Sequence, residues 1–176
     1  MAMRNILCAL LGALFVSGSI SLPAFADGSQ LDKPQSIPLE GVCLFSPSAT
    51  NATFKPPLSN TVTTTTVKIN ATGSCTGNGA PSTMYLTLSA SGPWSCAGGS
   101  GLGAAAVSWS TGSPPGSNSV NAAVTGTTDS IHVQLNGPGA FVAHGSFAYY
   151  PVGQTSCFTS GLAATDLDGA LVFVSA

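Results

Sequence analysis

Hydrophobic and polar residues alternate with a period of two along much of the chain. The clearest run is Met84-Tyr-Leu86-Thr-Leu88-Ser-Ala90, which sets Met84, Leu86, Leu88 and Ala90 on one face and Tyr85, Thr87 and Ser89 on the other. Successive side chains of a strand point to opposite sides, so this reads as a strand buried on one face. Ala105, Val107 and Trp109 repeat the pattern, as do Val120, Ala122 and Val124, then Ile131, Val133 and Leu135, and then Phe141, Ala143, Phe147 and Tyr149. Upstream, Val67, Ile69 and Ala71 alternate in a Thr-rich segment, while Val62 falls out of phase with them, so a bulge near Thr64 is expected. A short strand at about Val42 to Phe45 precedes them. The closing run Leu171-Val-Phe-Val174 is apolar at every position, as a strand covered on both faces would be.

Turn residues separate these runs: the glycine-rich 98–103 segment, Ser113-Pro-Pro-Gly116 and Asn136-Gly-Pro-Gly-Ala140. Beyond the leader described next, no segment has helical spacing. Seven to eight strands with regular turn signals predict an all-β fold, an antiparallel immunoglobulin-like β-sandwich, with a barrel as the alternative.

The first residues change the address. One cation at Arg4, an apolar run from Ile6 to Val16 and the small-x-small motif Ala24-Phe-Ala26 read as a signal peptide over residues 1–26. The apolar run is about half of the ~20 residues that a spanning helix needs, so no membrane insertion is expected after cleavage. Residues 27–41, with Pro34 and Pro38, read as a flexible lead-in to a single domain over 42–176. The chain beyond the leader holds Lys33, Lys55 and Lys68 against Asp27, Asp32, Glu40, Asp129, Asp166 and Asp168. Three scattered lysines make no phosphate-binding patch, which excludes nucleic acid as a partner. So few titratable groups also argue against an enzyme, and no cofactor is expected.

Four cysteines remain after cleavage: Cys43, Cys75, Cys96 and Cys157. An even count in an exported chain reads as two disulfides, and no Cys-x-x-Cys pair favours zinc. Cys75 and Cys96 flank the Met84–Ala90 strand and are too far apart to join directly. Two pairings remain: Cys43–Cys75 with Cys96–Cys157, or Cys43–Cys96 with Cys75–Cys157. The first is preferred, because it ties each strand to its neighbour.

Candidate chemistry is sparse. A hairpin closed by 136–140 would set His132 opposite His144, close enough for both imidazoles to hold one divalent ion, although no third ligand shares their face. Asp166-Leu-Asp168-Gly169 resembles the opening of a calcium loop but runs into an apolar strand, and is read as a turn. Gly101-Leu-Gly103 enters a strand rather than a helix, which rules out a dinucleotide fingerprint. Trp94, in a Gly-Pro-Trp-Ser loop beside Cys96, is read first as packing on the disulfide; the alternative is that it joins Tyr85, Tyr149 or Tyr150 as a stacking platform for a glycan or a flat apolar ligand. Asn51-Ala-Thr53 and Asn70-Ala-Thr72 are glycosylation sequons, relevant only in a eukaryotic host.

At Gly73-Ser-Cys75-Thr-Gly, Leu86-Thr-Leu-Ser, Ser95-Cys96-Ala-Gly-Gly-Ser-Gly, Val107-Ser-Trp109 and a late Cys157, the chain resembles small secreted bacterial β-sandwich proteins with two disulfides. That resemblance implies a fold and an export route and brings no active site. In composition the chain is also similar to the enediyne-binding apoproteins, acidic immunoglobulin-like domains with two disulfides. The expectation is an exported, non-enzymatic protein, structural or interaction-making, at the cell surface or in the medium. It would be periplasmic in a host with an outer membrane. The alternative is a module for a small apolar ligand or glycan, built on Trp94 and nearby tyrosines; a protein or a glycan is the expected partner.

Overall fold

Each alternating run forms a strand in the computed structural model, which describes residues 39–80, 82–110, 119–138, 141–150 and 156–175. The leader and most of the lead-in lie outside the described residues, as do the break at 113–116 and Pro151. The strands are β1 (Leu39–Leu58), β2 (Thr63–Asn78), β3 (Thr83–Ser95), β4 (Gly98–Trp109), β5 (Val120–Gly126), β6 (Ser130–Asn136), β7 (Val142–Tyr150) and β8 (Leu162–Ser175). Every strand pairs antiparallel with the next, and β1 returns to pair with β8, so the sheet closes into an eight-stranded up-and-down barrel. This corrects the expected sandwich. Alternation reports only that one face is buried, and two packed sheets or one closed sheet satisfy it equally.

Eight strands enclose an interior just wide enough for side chains to fill. Here the filling is aromatic and aliphatic, in pairs spaced along the axis. Trp109 packs against Phe173 with ring centroids 4.9 Å apart, Phe45 against Phe147 at 5.3 Å, and Phe54 against Trp94 at 6.5 Å. Ile69, Leu86, Leu88, Ile131, Leu135, Leu167 and Leu171 fill the space between. Each such side chain contributes roughly 1.5–3 kcal/mol by leaving water. Bulky rings need small residues opposite. A Cβ on Gly73 would lie 2.6 Å from the Phe45 ring, and one on Gly126 would collide with the Trp94 indole.

Several sequence expectations move. β1 is a 20-residue strand, not a four-residue one. It runs past Pro47, Pro56 and Pro57, and its register breaks between Phe45 and Thr50 and, against β8, between Thr53 and Leu58. Both breaks contain prolines, which have no N–H for the ladder. The irregularity expected near Thr64 therefore belongs to β1: β2 pairs with β3 without interruption from Thr63 to Ser74. Val62 is out of phase because it precedes the strand. Asp166-Leu-Asp168-Gly169 is no turn but part of β8, with Leu167 inside and both aspartates outside. A five-residue helix, α1 (Ser156–Ser160), stands where only a loop was expected; one turn is too short to show a period.

Both disulfides follow the preferred pairing. Cys43 and Cys75 face each other directly across β1 and β2, with Cα atoms 4.0 Å apart. Cys96, at the β3–β4 turn, reaches Cys157 on α1 at 5.7 Å between Cα atoms. Those two segments belong to strand pairs on opposite sides of the barrel, so the second bond spans one mouth. The Cys96 amide donates to the Ser59 carbonyl (2.8 Å), and Asn60 Nδ2 donates to the Phe158 carbonyl (3.1 Å), which ties the β1–β2 connection to the same closure.

Replacing Gly126 by alanine should lower the free energy of urea unfolding by about 1–3 kcal/mol, as overpacking against Trp94 forces the strand to shift. Thr64→Ala, on the exposed face, should stay within about 0.5 kcal/mol. Equal effects in the two variants would refute the packing account of this mouth.

Candidate functional site

The residues singled out from sequence do not converge on one site. Trp94 is 0% exposed and lies inside the barrel, where Phe54 and the backbones of Gly99 and Gly126 enclose it. The indole therefore offers no platform to an external ligand, which corrects its candidacy; the loop that was read around it is the end of β3, and its position in the pleat points inward. Its Nε1 has no hydrogen-bond partner among the described residues, nor does that of Trp109. Tyr149 is also inside. Tyr85 and Tyr150 are exposed, but they stand on β3 and β7, with β2, β1 and β8 between them.

The histidines miss each other by one step of the register. Asn136 pairs with Val142, so His144 opposes Gln134 and His132 opposes Ser146. The loop is Gly137 to Phe141, closed by the Gly137 amide donating to the Phe141 carbonyl (2.8 Å). The imidazoles are thus diagonal neighbours, about 7–8 Å apart by sheet geometry, rather than directly opposed. A shift of two residues keeps every buried side chain buried, so the hydrophobic pattern could not reveal it. Among the described residues no three of His, Cys, Asp and Glu come together. His132 Nε2 lies 3.4 Å from Ser130 Oγ on the exposed face, and among the described residues no carboxylate bonds to the ring.

What the structure does assemble lies on the outer wall, in two unlike sectors. The first is apolar. Val42 and Leu44 of β1, Val172 and Val174 of β8 and Val142 of β7 all point outward, with Leu44 64% exposed. Val42 pairs with Val172, Leu44 with Ala170, and Val142 with Val174, so they form one contiguous patch. Glu40 and His144 border it. The closing run of β8 is apolar on both faces, as read from sequence, but its outer face is uncovered rather than packed. By contrast β2 presents Thr64, Lys68, Asn70, Thr72, Ser74 and Thr76 outward, and β4 exposes Leu102 well away from the patch.

The second sector is a cleft of about 600 Å³ over β1 and β2, lined by Thr53, Phe54, Lys55, Pro57, Thr66 and Lys68. Thr53 pairs with Lys68 and Lys55 with Thr66, which makes the lysines diagonal neighbours. Sequence reading scattered these cations, because residues 55 and 68 meet only through the β1–β2 register.

Comparison with known proteins found no matching family, no similar curated protein and no similar solved structure. Two disulfides mark a protein of an oxidising compartment outside the cytoplasm. Among the described residues no helix is long and apolar enough to cross a membrane.

Burial, with a smaller contribution from the Asp129 carboxylate, pushes the Tyr149 phenol up from 10.0 to about 12. The folded state thus holds this proton more tightly than the unfolded chain, so the stability it contributes is complete below pH 10 and is lost as pH rises through about 12. Tyr149→Phe should flatten the alkaline fall in urea midpoint over that window; an unchanged slope would show that Tyr149 is not its source.

Proposed function

We propose that this chain is an exported bacterial protein, non-enzymatic, that acts through the outer wall of its barrel by pairing its apolar sector with that of a second copy. The carrying observation is the patch formed by Val42, Leu44, Val142, Val172 and Val174, five exposed aliphatic side chains contiguous across three adjacent strands, whereas exposed Leu102 stands apart from them on β4. The filled interior supports an outward mode of action, since the large aromatic side chains occupy the space where barrels of this size hold a ligand. A contiguous apolar patch is the usual mark of an interaction surface.

The geometry favours face-to-face contact. A closed barrel offers no free strand edge for a partner strand to extend, so contact must be made by side chains, as between packed sheets. The patch is uncharged at its centre, and the chain carries little net charge, so a second copy meets weak repulsion. An isologous contact needs one self-complementary face and generates the commonest oligomer, a two-fold dimer. Apolar residues outside and polar inside would build a lipid-facing barrel; the threonine-rich exterior of β2 and the apolar interior support the opposite assignment. The small supply of titratable groups in the sequence supports the non-enzymatic reading.

Sedimentation equilibrium of the secreted protein should show a reversible dimer. Leu44→Asp and Val172→Lys should each weaken it by about tenfold or more while leaving the far-ultraviolet circular dichroism unchanged. A monomer at every attainable concentration, or variants that associate like the parent, would overturn the proposal.

A further inference from the structure

We propose that the cleft over β1 and β2 binds an acidic glycan, with Lys55 and Lys68 taking the sugar carboxylates and the neighbouring outward residues taking its hydroxyls. This site lies on a different part of the wall from the apolar patch and does not depend on dimerisation.

The charges argue first. Only four cations occur in the whole sequence, and two of them are set as diagonal neighbours across one strand pair. Like charges placed so close repel. Among the described residues no carboxylate forms an ion pair with either ammonium, so the repulsion is not relieved from within the fold. An anion in the cleft would relieve it, with charge-assisted hydrogen bonds from both lysines. Thr53 and Thr66 line the same cleft, and Thr66 Oγ1 is 2.8 Å from Ser91 Oγ of β3, adding hydroxyl donors and acceptors at its edge.

The surroundings then decide between an inorganic anion and a sugar. In the next outward row Asn51 pairs directly with Asn70, Asn51 with Asp166, and Asp166 with Tyr150. Both carboxamides are exposed and make no hydrogen bond to the described residues. Side by side they present donors and acceptors in alternation, the pattern that pairs with vicinal hydroxyls. The Tyr150 ring, 53% exposed, closes the row with a flat apolar face of the kind that stacks on a pyranose. Strands lie about 4.8 Å apart, so the row from β2 to β7 extends roughly 14 Å along the wall. A phosphate ion would fill only the lysine end. An extended acidic polyol would use the whole row, with its carboxylates on the lysines and its hydroxyls donating to the exposed Asp166 carboxylate, whose like charge keeps the ligand's own carboxylates at the lysine end. Two cations are too few to hold a nucleic-acid backbone, whose affinity scales with the number of phosphates neutralised.

Titration of the secreted protein with short oligogalacturonates at low salt should shift the backbone amide resonances of Asn51, Lys55, Lys68 and Asn70. The neutral galactose oligomer should bind at least about tenfold more weakly, and so should the oligogalacturonate to the Lys55→Gln/Lys68→Gln variant. Asn70→Ala should cost about threefold, one neutral hydrogen bond's worth. These positions are exposed, so circular dichroism should confirm that the variants remain folded. No shift at these amides, an undiminished affinity in the double variant, or inorganic phosphate binding as tightly as the oligomer would each overturn the assignment. Loss of dimerisation in Leu44→Asp should leave the titration unchanged, which separates this result from the fate of the apolar wall.

Discussion

The ladder between the first and last strands holds the architecture together. From Leu39 opposite Ser175 to Phe45 opposite Gly169, β1 and β8 pair residue for residue, and the pairing resumes at Asn51 opposite Asp166. Without it the sheet would have two open edges and an exposed apolar face. With it, the inward residues of all eight strands share one interior. The same ladder assembles the apolar sector, setting Val42 beside Val172 at one end of β1, and toward the other end it sets Asn51 beside Asp166; the lysine cleft itself comes from the β1–β2 pairing. Closure is therefore what gives the eight strands one shared core.

At one mouth, closure is completed by local chemistry. Trp94 plugs the end of the barrel, and the small residues Gly99 and Gly126 make room for it. The Cys96–Cys157 bond crosses over the plug and anchors α1, and the Ser59 and Asn60 contacts bring in the remaining connection. In the chain-entropy description a bond closing a loop of this size contributes about 4 kcal/mol at most. The interior is thus sealed at this mouth by an aromatic ring and a covalent strap.

Much of the fold was legible because alternation encodes burial directly. Met84, Leu86 and Leu88 are inside and Tyr85, Thr87 and Ser89 outside, as their pattern reads, and strand geometry alone favoured the observed cysteine pairing. What could not be read was whatever leaves burial unchanged. A sandwich and a barrel bury the same residues. A two-residue register shift moved His144 from His132 to Gln134 without exposing a single core side chain. The favoured packing of Trp94 inside holds, but its place in a strand was hidden: Gly92 and Pro93 give it the composition of a loop, yet β3 continues through them. The lysine pair and the Asn51–Asn70 row depend on which residues of β1 meet which of β2, and the break at Pro47 shifts that register in a way no period reveals.

The crossing bonds also set how the chain carries mechanical load. A pull applied at Leu39 and Ser175 enters at two adjacent strand ends and peels their rungs apart one at a time, rather than shearing them together. The tension then reaches Cys43 and passes directly to Cys75, and later from Cys96 to Cys157. The segments spanned by these bonds, separations of 32 and 61 residues, are shielded from extension. Under traction only the first residues of β1 up to Cys43, the stretch from Cys75 to Cys96 that holds β3, and the chain beyond Cys157 with β8 would lengthen, so an oxidised chain tethered at both ends acts as a short leash and a reduced one as a long leash.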